Sequence, residues 1–376
     1  MTPPLMASRG GGTTAEILHG APATSAGEET TTPGLSPELD VFLSGQVFMD
    51  MIFTGIPGPP SPGTELFTGG LGSAPGGIAN IVVAMSRLEL SVGLAAPFGD
   101  DLFGAYLWRT LAEQEGVDLG RSRRVKAWPT PVTVSLAYDS DRSMVTYARP
   151  VPDIGPADDP HEQMIGSAPP SARACFIDIE RPVPAWARGM REAGSVVFAD
   201  LGWDATETWP SEVLNRLKHV DVFLPNAVEA MAHTRTTSPE TAARALAERM
   251  PVVVVKRGGA GAIAIDSRTG EVAETEALPV RALDATGAGD VFGAGFLFGT
   301  LAGLPLMERL KFANLCAGLS VRHRSGSLGA PSWGEIARFG ESGEVPEDVL
   351  EQYAFVAEHI PASATGSVVR AEPTLR

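Results

Sequence analysis

Cysteine is nearly missing: 376 residues contain two, Cys175 and Cys316, both in apolar settings (RACFID and NLCAGL). That argues against a disulfide-stapled scaffold and a cysteine-ligated metal centre, and two reduced core thiols suit a reducing compartment. Histidine is scarce too, and the six residues, at 19, 161, 219, 233, 323 and 359, show no metal-ligand spacing. No apolar run reaches the roughly 20 residues that span a bilayer. The first 38 residues lack the apolar segment of a signal peptide, so the expected location is the cytoplasm. Positive charge is also short, with 29 Lys and Arg against 45 Asp and Glu and a net charge of −16. A nucleic-acid partner needs a basic face to displace counterions, which speaks against one here. The one basic cluster, Arg121 to Lys126 (RSRRVK), reads as a solvated turn. Neither a GxxxxGK[ST] phosphate loop nor a GxSxG nucleophile elbow occurs.

What remains is a chain with 44% hydrophobic and 20% charged residues, long enough for one large domain with a small accessory layer. Residues 1–38 are rich in Gly, Thr, Pro, Ala and Ser and read as a disordered tail. The main domain is expected over 39–340, with a C-terminal helix over 341–360 and a flexible tail over 361–376. Order begins at VFLSGQVFMDMIF, residues 41–53, which reads as one buried strand ending near Asp50. From Ala172 onward, strand patterns such as ARACFIDIE, SVVFADL, DVFLP and PVVVVK alternate with amphipathic helical ones. This predicts an α/β fold with a doubly wound, mostly parallel sheet flanked by helices. Residues 131–150 break the rhythm with period-2 patterning on both sides of DSDR, which reads as a hairpin. A hairpin has no place in a parallel sheet, so it is assigned with residues 51–71 to a small β-strand lid. Exposed lid strands seek partners, and a homodimer through these two segments is expected.

Ligands of such sheets bind beyond the carboxyl ends of the strands. Asp50, Glu180, Asp200, Asn226 and Lys256 all fall at or just past predicted strand ends and are expected to converge. Late in the chain stands DATGAGD, Asp284 to Asp290, followed by an apolar stretch suited to a buried helix. Gly287, Ala288 and Gly289 let backbone approach a ligand, and a helix start offers unpaired N–H groups and a positive dipole end to a phosphate. An acid in that first turn also stabilises a helix with no catalytic role, so Asp290 alone carries two readings. The same holds for NAVE, Asn226 to Glu229, which fits a capping box and equally a pair of oxygen ligands near Mg²⁺. KRGGAG, from Lys256 to Gly261, is either a turn needing positive φ or a close backbone approach to a nucleotide.

Together, GGIAN (residues 76–80), PNAVE (225–229) and DATGAGD (284–290) resemble, in order and spacing, the PfkB family of carbohydrate kinases, also called ribokinase-like. The resemblance covers about residues 40–340 and implies ATP-dependent phosphorylation of a sugar hydroxyl. It implies Asp290 as the base, with Gly287, Ala288 and Gly289 as the anion hole. Asn226 and Glu229 are implied to organise Mg²⁺ through water. Lys256, Gly258, Gly261 and Asn226 fall to the nucleotide side, Asn314 to the adenine, and Asp50, Gly76, Gly77, Asn80 and Glu180 to the sugar hydroxyls. Asp284 matches the acid that helps bind a monovalent cation, such as K⁺, in some members.

Two departures bear on the substrate. Phe48 stands where ribokinases carry a polar residue, and Ile78 where they carry Lys. Both make the pocket more apolar, which points to a hexose, or to a sugar with an apolar or aromatic group, over ribose. A nucleoside kinase of the same superfamily and a catalytically silent sugar sensor are the alternatives.

Overall fold

In a computed structural model, the described residues are 37–138, 141–152, 160–166, 168–202, 204, 206–323, 326–341 and 345–366. The expected N-terminal tail lies outside them up to residue 36, as do residues 139–140 at the expected hairpin turn and residues 367–376.

The first third of the chain gives β1 (Leu39–Ser44), β2 (Val47–Ile56), β3 (Gly70–Gly77), α1 (Ala79–Arg87), β4 (Val92–Ala95), β5 (Pro97–Gly99) and α2 (Leu102–Arg109). Next come β6 (Arg123–Val125), β7 (Val132–Tyr138), β8 (Asp141–Tyr147), α3 (Pro160–Ile165), β9 (Ala172–Asp178), α4 (Ala185–Glu192) and β10 (Val196–Asp200). They are followed by β11 (Val222–Phe223), α5 (Ala227–Thr234), α6 (Pro239–Ala247), β12 (Val252–Lys256), β13 (Ala262–Asp266) and β14 (Glu271–Thr275). The last third is helical, with α7 (Ala288–Leu301), α8 (Leu306–Ser320), α9 (Trp333–Ala337) and α10 (Glu347–Glu351).

Eight strands form the main sheet in the order β14-β13-β12-β11-β10-β9-β1-β4. Pairing is parallel from β4 to β12 and antiparallel for the last two. The apolar runs explain this, because a sheet covered by helices on both faces buries every residue of a strand. In β12, Val252 and Val254 enter the core on one face and Val253 and Val255 the core on the other. The same period-2 division puts Val41 and Leu43 of β1 opposite Phe42. No helix among the described residues is long and apolar enough to cross a membrane.

A second sheet, in the order β3-β2-β7-β8, is the lid expected from the hairpin pattern. Its entry corrects one expectation: residues 41–53 are not a single strand. The chain leaves the main sheet at Ser44, crosses at Gly45 and Gln46, and starts the lid at Val47. A Cβ on Gly45 would lie 3.0 Å from Cβ of Ile78, so a bulkier residue would push the crossing away from the start of α1. Asp50 therefore sits within a lid strand, opposite Ala74 and Thr133, and not at the end of a main-sheet strand.

Three smaller features accompany it. Ser211–His219, between β10 and β11, is a 3-10 helix. The end of α2 passes into a π turn at Thr110–Gln114. There Glu115 is fully buried and pairs with Arg87 at 2.9 Å, while Arg87 Nη1 also donates to the carbonyls of Leu328 and Ala330. That network ties α1 to the segment after α8, and such a pair is costly to break because it would strand a buried charge. Finally, the tail expected from residue 361 still forms a helical turn at Ala362–Gly366, with Ala364 buried and Ser363 bonded to Glu89.

Candidate active site

The site is assembled around the start of α7. Asp284 Oδ1 accepts from the backbone N–H and the hydroxyl of Thr286, at 2.9 and 2.7 Å, which turns the chain into the helix. Gly287 then takes the left-handed conformation, φ 76°, as the residue before the first helical one. That backbone conformation is what calls for glycine there, and the Asn80 amide packs close to it. The N–H of Ala288 is drawn into the turn, donating to Ala285 O at 3.2 Å, while those of Gly287 and Gly289 make no backbone hydrogen bond among the described residues. Two of the three expected anion donors therefore stand open at the positive end of the helix.

Asp290 lies in the first turn of α7, and Asn80 Nδ2, from α1, donates to its Oδ2 at 3.1 Å. The other end of that amide, Asn80 Oδ1, is buried without a hydrogen-bond partner. An orphaned acceptor beside a carboxylate is what a ligand hydroxyl would satisfy. Burial pushes the Asp290 carboxyl up to about 6, with Asp200 adding to the rise and Lys256 and Asn80 opposing it. Asp50 faces the same space from the lid. A Cβ on Gly76 would collide with its carboxylate, so the glycine is the room in which Asp50 sits. Burial, then the nearby charge of Asp290, pushes Asp50 up to about 7. Two carboxyls that resist simultaneous ionisation make one of them a ready proton acceptor near neutral pH.

The carboxyl ends of β9 to β12 supply the rest. Lys256, last in β12, forms an ion pair with Asp200, last in β10. Burial works against the Lys256 charge, but Asp200, Glu229 and Asp290 outweigh it and hold the ammonium firmly protonated. Its Nζ stands 3.5 Å from where a Cβ on Gly289 would be, so it looks onto the start of α7. Asn226 and Glu229 form a full capping box on α5, each side chain bonded to the other's backbone N–H at 2.9 and 2.8 Å. The cap reading of NAVE thus holds, and it leaves Glu229 buried beside Asp200 and Lys256. Burial first, then Asp200, raises its carboxyl to about 7. Asp178 is raised to about 6, mainly by burial. Glu180 accepts from the N–H of Gly202 at 2.8 Å.

No three acidic, histidine or cysteine side chains among the described residues close on one point as a metal cage. Glu229 instead lies among carboxylates whose mutual repulsion a divalent ion, held through water, would relieve. Asp284 Oδ2 is buried and unpartnered, an arrangement that suits a monovalent cation.

The turn after β12 has structural reasons for its glycines. Gly258 and Gly261 both have positive φ, and a Cβ on Gly261 would collide with the carbonyl of Thr275. Asn314, expected at an adenine, is buried in α8 and its amide donates to Glu276 O at 3.1 Å. Of the two departures, Phe48 lines a cavity beside the site, whereas Ile78 packs against Gly45 and the core. Sequence reasoning expected Asp200 at this edge without giving it a partner, and passed over Asp178. The available signal was an acid closing each of two buried strands.

The family model for pfkB family carbohydrate kinases matches residues 68–333. The chain is 25% identical over 327 residues to the 5-dehydro-2-deoxygluconokinase of Geobacillus thermodenitrificans, spanning 80% of this chain and 93% of the relative. It is 31% identical over 269 residues to the ATP-dependent ribose-1-phosphate kinase of Halopiger xanaduensis, spanning 71% and 86%. Among solved structures, a putative ribokinase II from E. coli in complex with ATP and Mg²⁺ superposes with a TM-score of 0.66 at 22% identity, covering 81% of this chain and 99% of that one. The Arabidopsis thaliana ribokinase complexed with ribose and ATP gives a TM-score of 0.64 at 23% identity, covering 78% and 96%. The structural likenesses carry the fold, the family model carries membership, and the chain belongs to the pfkB family of carbohydrate kinases, which are phosphotransferases.

Proposed function

We propose that this kinase transfers the terminal phosphoryl group of ATP to a hydroxyl of a small sugar, with Asp290 as the base. The observation that carries the reading is the buried Asp290 carboxyl, raised to about 6, at a helix start whose Gly287 and Gly289 N–H groups are open. Asp290 takes the hydroxyl proton as the sugar oxygen bonds to phosphorus and the bond from phosphorus to the ADP oxygen breaks. The open N–H groups and Lys256 face the charge on the moving phosphoryl oxygens, which is where phosphoryl transfer needs stabilisation. Asp50, Asn80, Gly76, Gly77 and Glu180 form the sugar side, with Asn80 Oδ1 accepting from a hydroxyl. Glu229 and Asn226 would hold Mg²⁺ through water, and the ion would neutralise phosphate charge. Asp284 would hold a monovalent cation. The glycine turn at 258–261 and the α8 segment around Asn314 would border the nucleotide. The cytoplasm suits both the nucleotide and the two free, buried thiols, Cys175 and Cys316.

The relatives include a 5-dehydro-2-deoxygluconokinase, an ATP-dependent ribose-1-phosphate kinase and a nucleoside kinase, so the substrate must be read from this chain's own cavity. The test is ADP release from Mg·ATP over pentoses, hexoses, sugar acids, sugar phosphates and adenosine. One substrate should turn over, chelation of Mg²⁺ should stop it, and replacing K⁺ by tetramethylammonium should slow it. Adenosine alone turning over would decide for the nucleoside kinase, and binding with no ADP release for the sensor.

A homodimer through the lid belongs to the same proposal. β8 is an edge strand with Met144, Val145 and Tyr147 exposed at 51%, 65% and 50%, an apolar strip of the kind that seeks a partner strand. Light scattering on a size-exclusion column should give twice the chain mass of 39.3 kDa. A monomer at assay concentration would refute it.

A further inference from the structure

We infer that the substrate carries an anionic group, a carboxylate or a phosphate, and that Arg149 and Arg181 receive it in the cavity between the lid and the end of β9. The inference rests on the kinase reading and names its substrate class. The cavity holds about 860 Å³ and is lined by Gln46, Phe48, Arg149, His161, Glu180 and Arg181 among others. That is toward the top of the roughly 300–1,000 Å³ range of small-molecule sites, more than a neutral monosaccharide needs. It lies beside the proposed sugar cradle. The Phe48 ring would lie 2.6 Å from a Cβ on Gly77, the neighbour of the glycine that makes room for Asp50, and Glu180 is shared between the two.

Three acids and two arginines line the cavity, and each acid already holds a backbone N–H: Glu162 accepts from Ala185 N at 3.0 Å, Asp178 from Glu180 N at 2.7 Å, and Glu180 from Gly202 N at 2.8 Å. Neither the Arg149 nor the Arg181 guanidinium forms a close ion pair among the described residues, and Arg181 is near enough to Asp178 to favour its charged form. The Arg149 guanidinium carbon lies over the ring of Tyr147, 6.0 Å from its centroid. The backbone that carries each is pinned from behind. The buried Trp128 indole donates to the carbonyls of Arg149 and Pro150, at 3.3 and 3.1 Å, and Arg216 Nη1 donates to those of Ile179 and Glu180, just ahead of Arg181. Two exposed guanidinium forks on pinned backbone suit the planar geometry of a carboxylate or the oxygens of a phosphate. They stand on a chain whose net charge of −16 would otherwise repel such a ligand.

The experiment uses matched pairs, glucose against gluconate and ribose against ribose 5-phosphate, with the full chain and the variant R149Q/R181Q. ADP release and calorimetric binding are measured for each. In the wild type the charged member of one pair should have a kcat/KM at least about tenfold above its neutral partner, the scale of one strong charge-assisted contact. Which pair responds tells carboxylate from phosphate. The double variant should remove that advantage through KM, leaving kcat and the neutral sugar within about twofold. A neutral sugar preferred by the wild type, or an equal loss on both members of a pair, would overturn the inference. If no sugar releases ADP, the kinase reading fails by itself, and calorimetry still decides this one. Binding of a charged sugar that weakens in the variant supports it, and its absence overturns it.

Discussion

Asp290→Asn should lower kcat by about 10²–10⁴-fold, the usual worth of a positioned general base, while the protein folds and binds its sugar as before. The substitution keeps the shape of the side chain and its acceptor for the Asn80 amide. It removes only the group that takes the proton. Because the native Asp290 carboxyl is raised to about 6 from an ordinary 3.8, the native state holds its proton more tightly than the unfolded chain does. Stability from this residue therefore falls as pH rises from about 4 to about 6, and above that window the ionised carboxylate weakens the fold. An uncharged residue at 290 should accordingly give a melting temperature at pH 8 equal to or above that of the wild type, so lost turnover could not be laid to unfolding. The wild type should show an acid limb in kcat near pH 6, since the base must be ionised to act, and the residual activity of the variant should lack it. The checks are kcat from pH 5 to 8, thermal melts at both ends of that range, and calorimetric sugar binding. A variant with unchanged turnover would remove Asp290 from the mechanism.

Much of this site could be read before any coordinates because its elements are local. The glycines and acids of DATGAGD are neighbours in the chain, and the helix start that gives them meaning follows directly. NAVE is a capping box whose two partners lie three residues apart, and the structure shows both its bonds. The apolar run of β12 dictates burial on both faces with no need of its neighbours. Contacts made across the fold left weaker traces. The strand break at Gly45 depends on Ile78, more than thirty positions on, so residues 41–53 read as one strand until the start of α1 is packed against the crossing. The Lys256–Asp200 pair joins two strands, the Arg87–Glu115 pair a helix to a π turn, and neither spacing is a motif. Arg149 and Arg181 belong to no sequence motif, and only the fold brings them to the lining of one cavity.

Lys256→Met should lower kcat by about 10²–10³-fold, the cost of removing one preorganised charge donor from a transition state, and should move the acid limb of the pH profile upward. Both effects follow from where the ammonium stands. It is beside the start of α7, where phosphate charge would gather, and it is the main influence holding the Asp290 pKa down. Without it, only the Asn80 hydrogen bond opposes burial and Asp200, so the base stays protonated to a higher pH. A structural pair alone would lower stability without displacing the limb. Asp200→Asn separates the two roles. It frees Lys256 from its partner and also removes a charge that raises Asp290, so the limb should move toward lower pH while kcat falls less than in Lys256→Met. Opposite shifts in the two variants, read from kcat between pH 5 and 9, would tie Lys256 to the reacting centre. Limbs that stay in place in both would leave Lys256 as a brace between β10 and β12, and the phosphoryl charge would then rest on the Gly287 and Gly289 N–H groups and the metal alone.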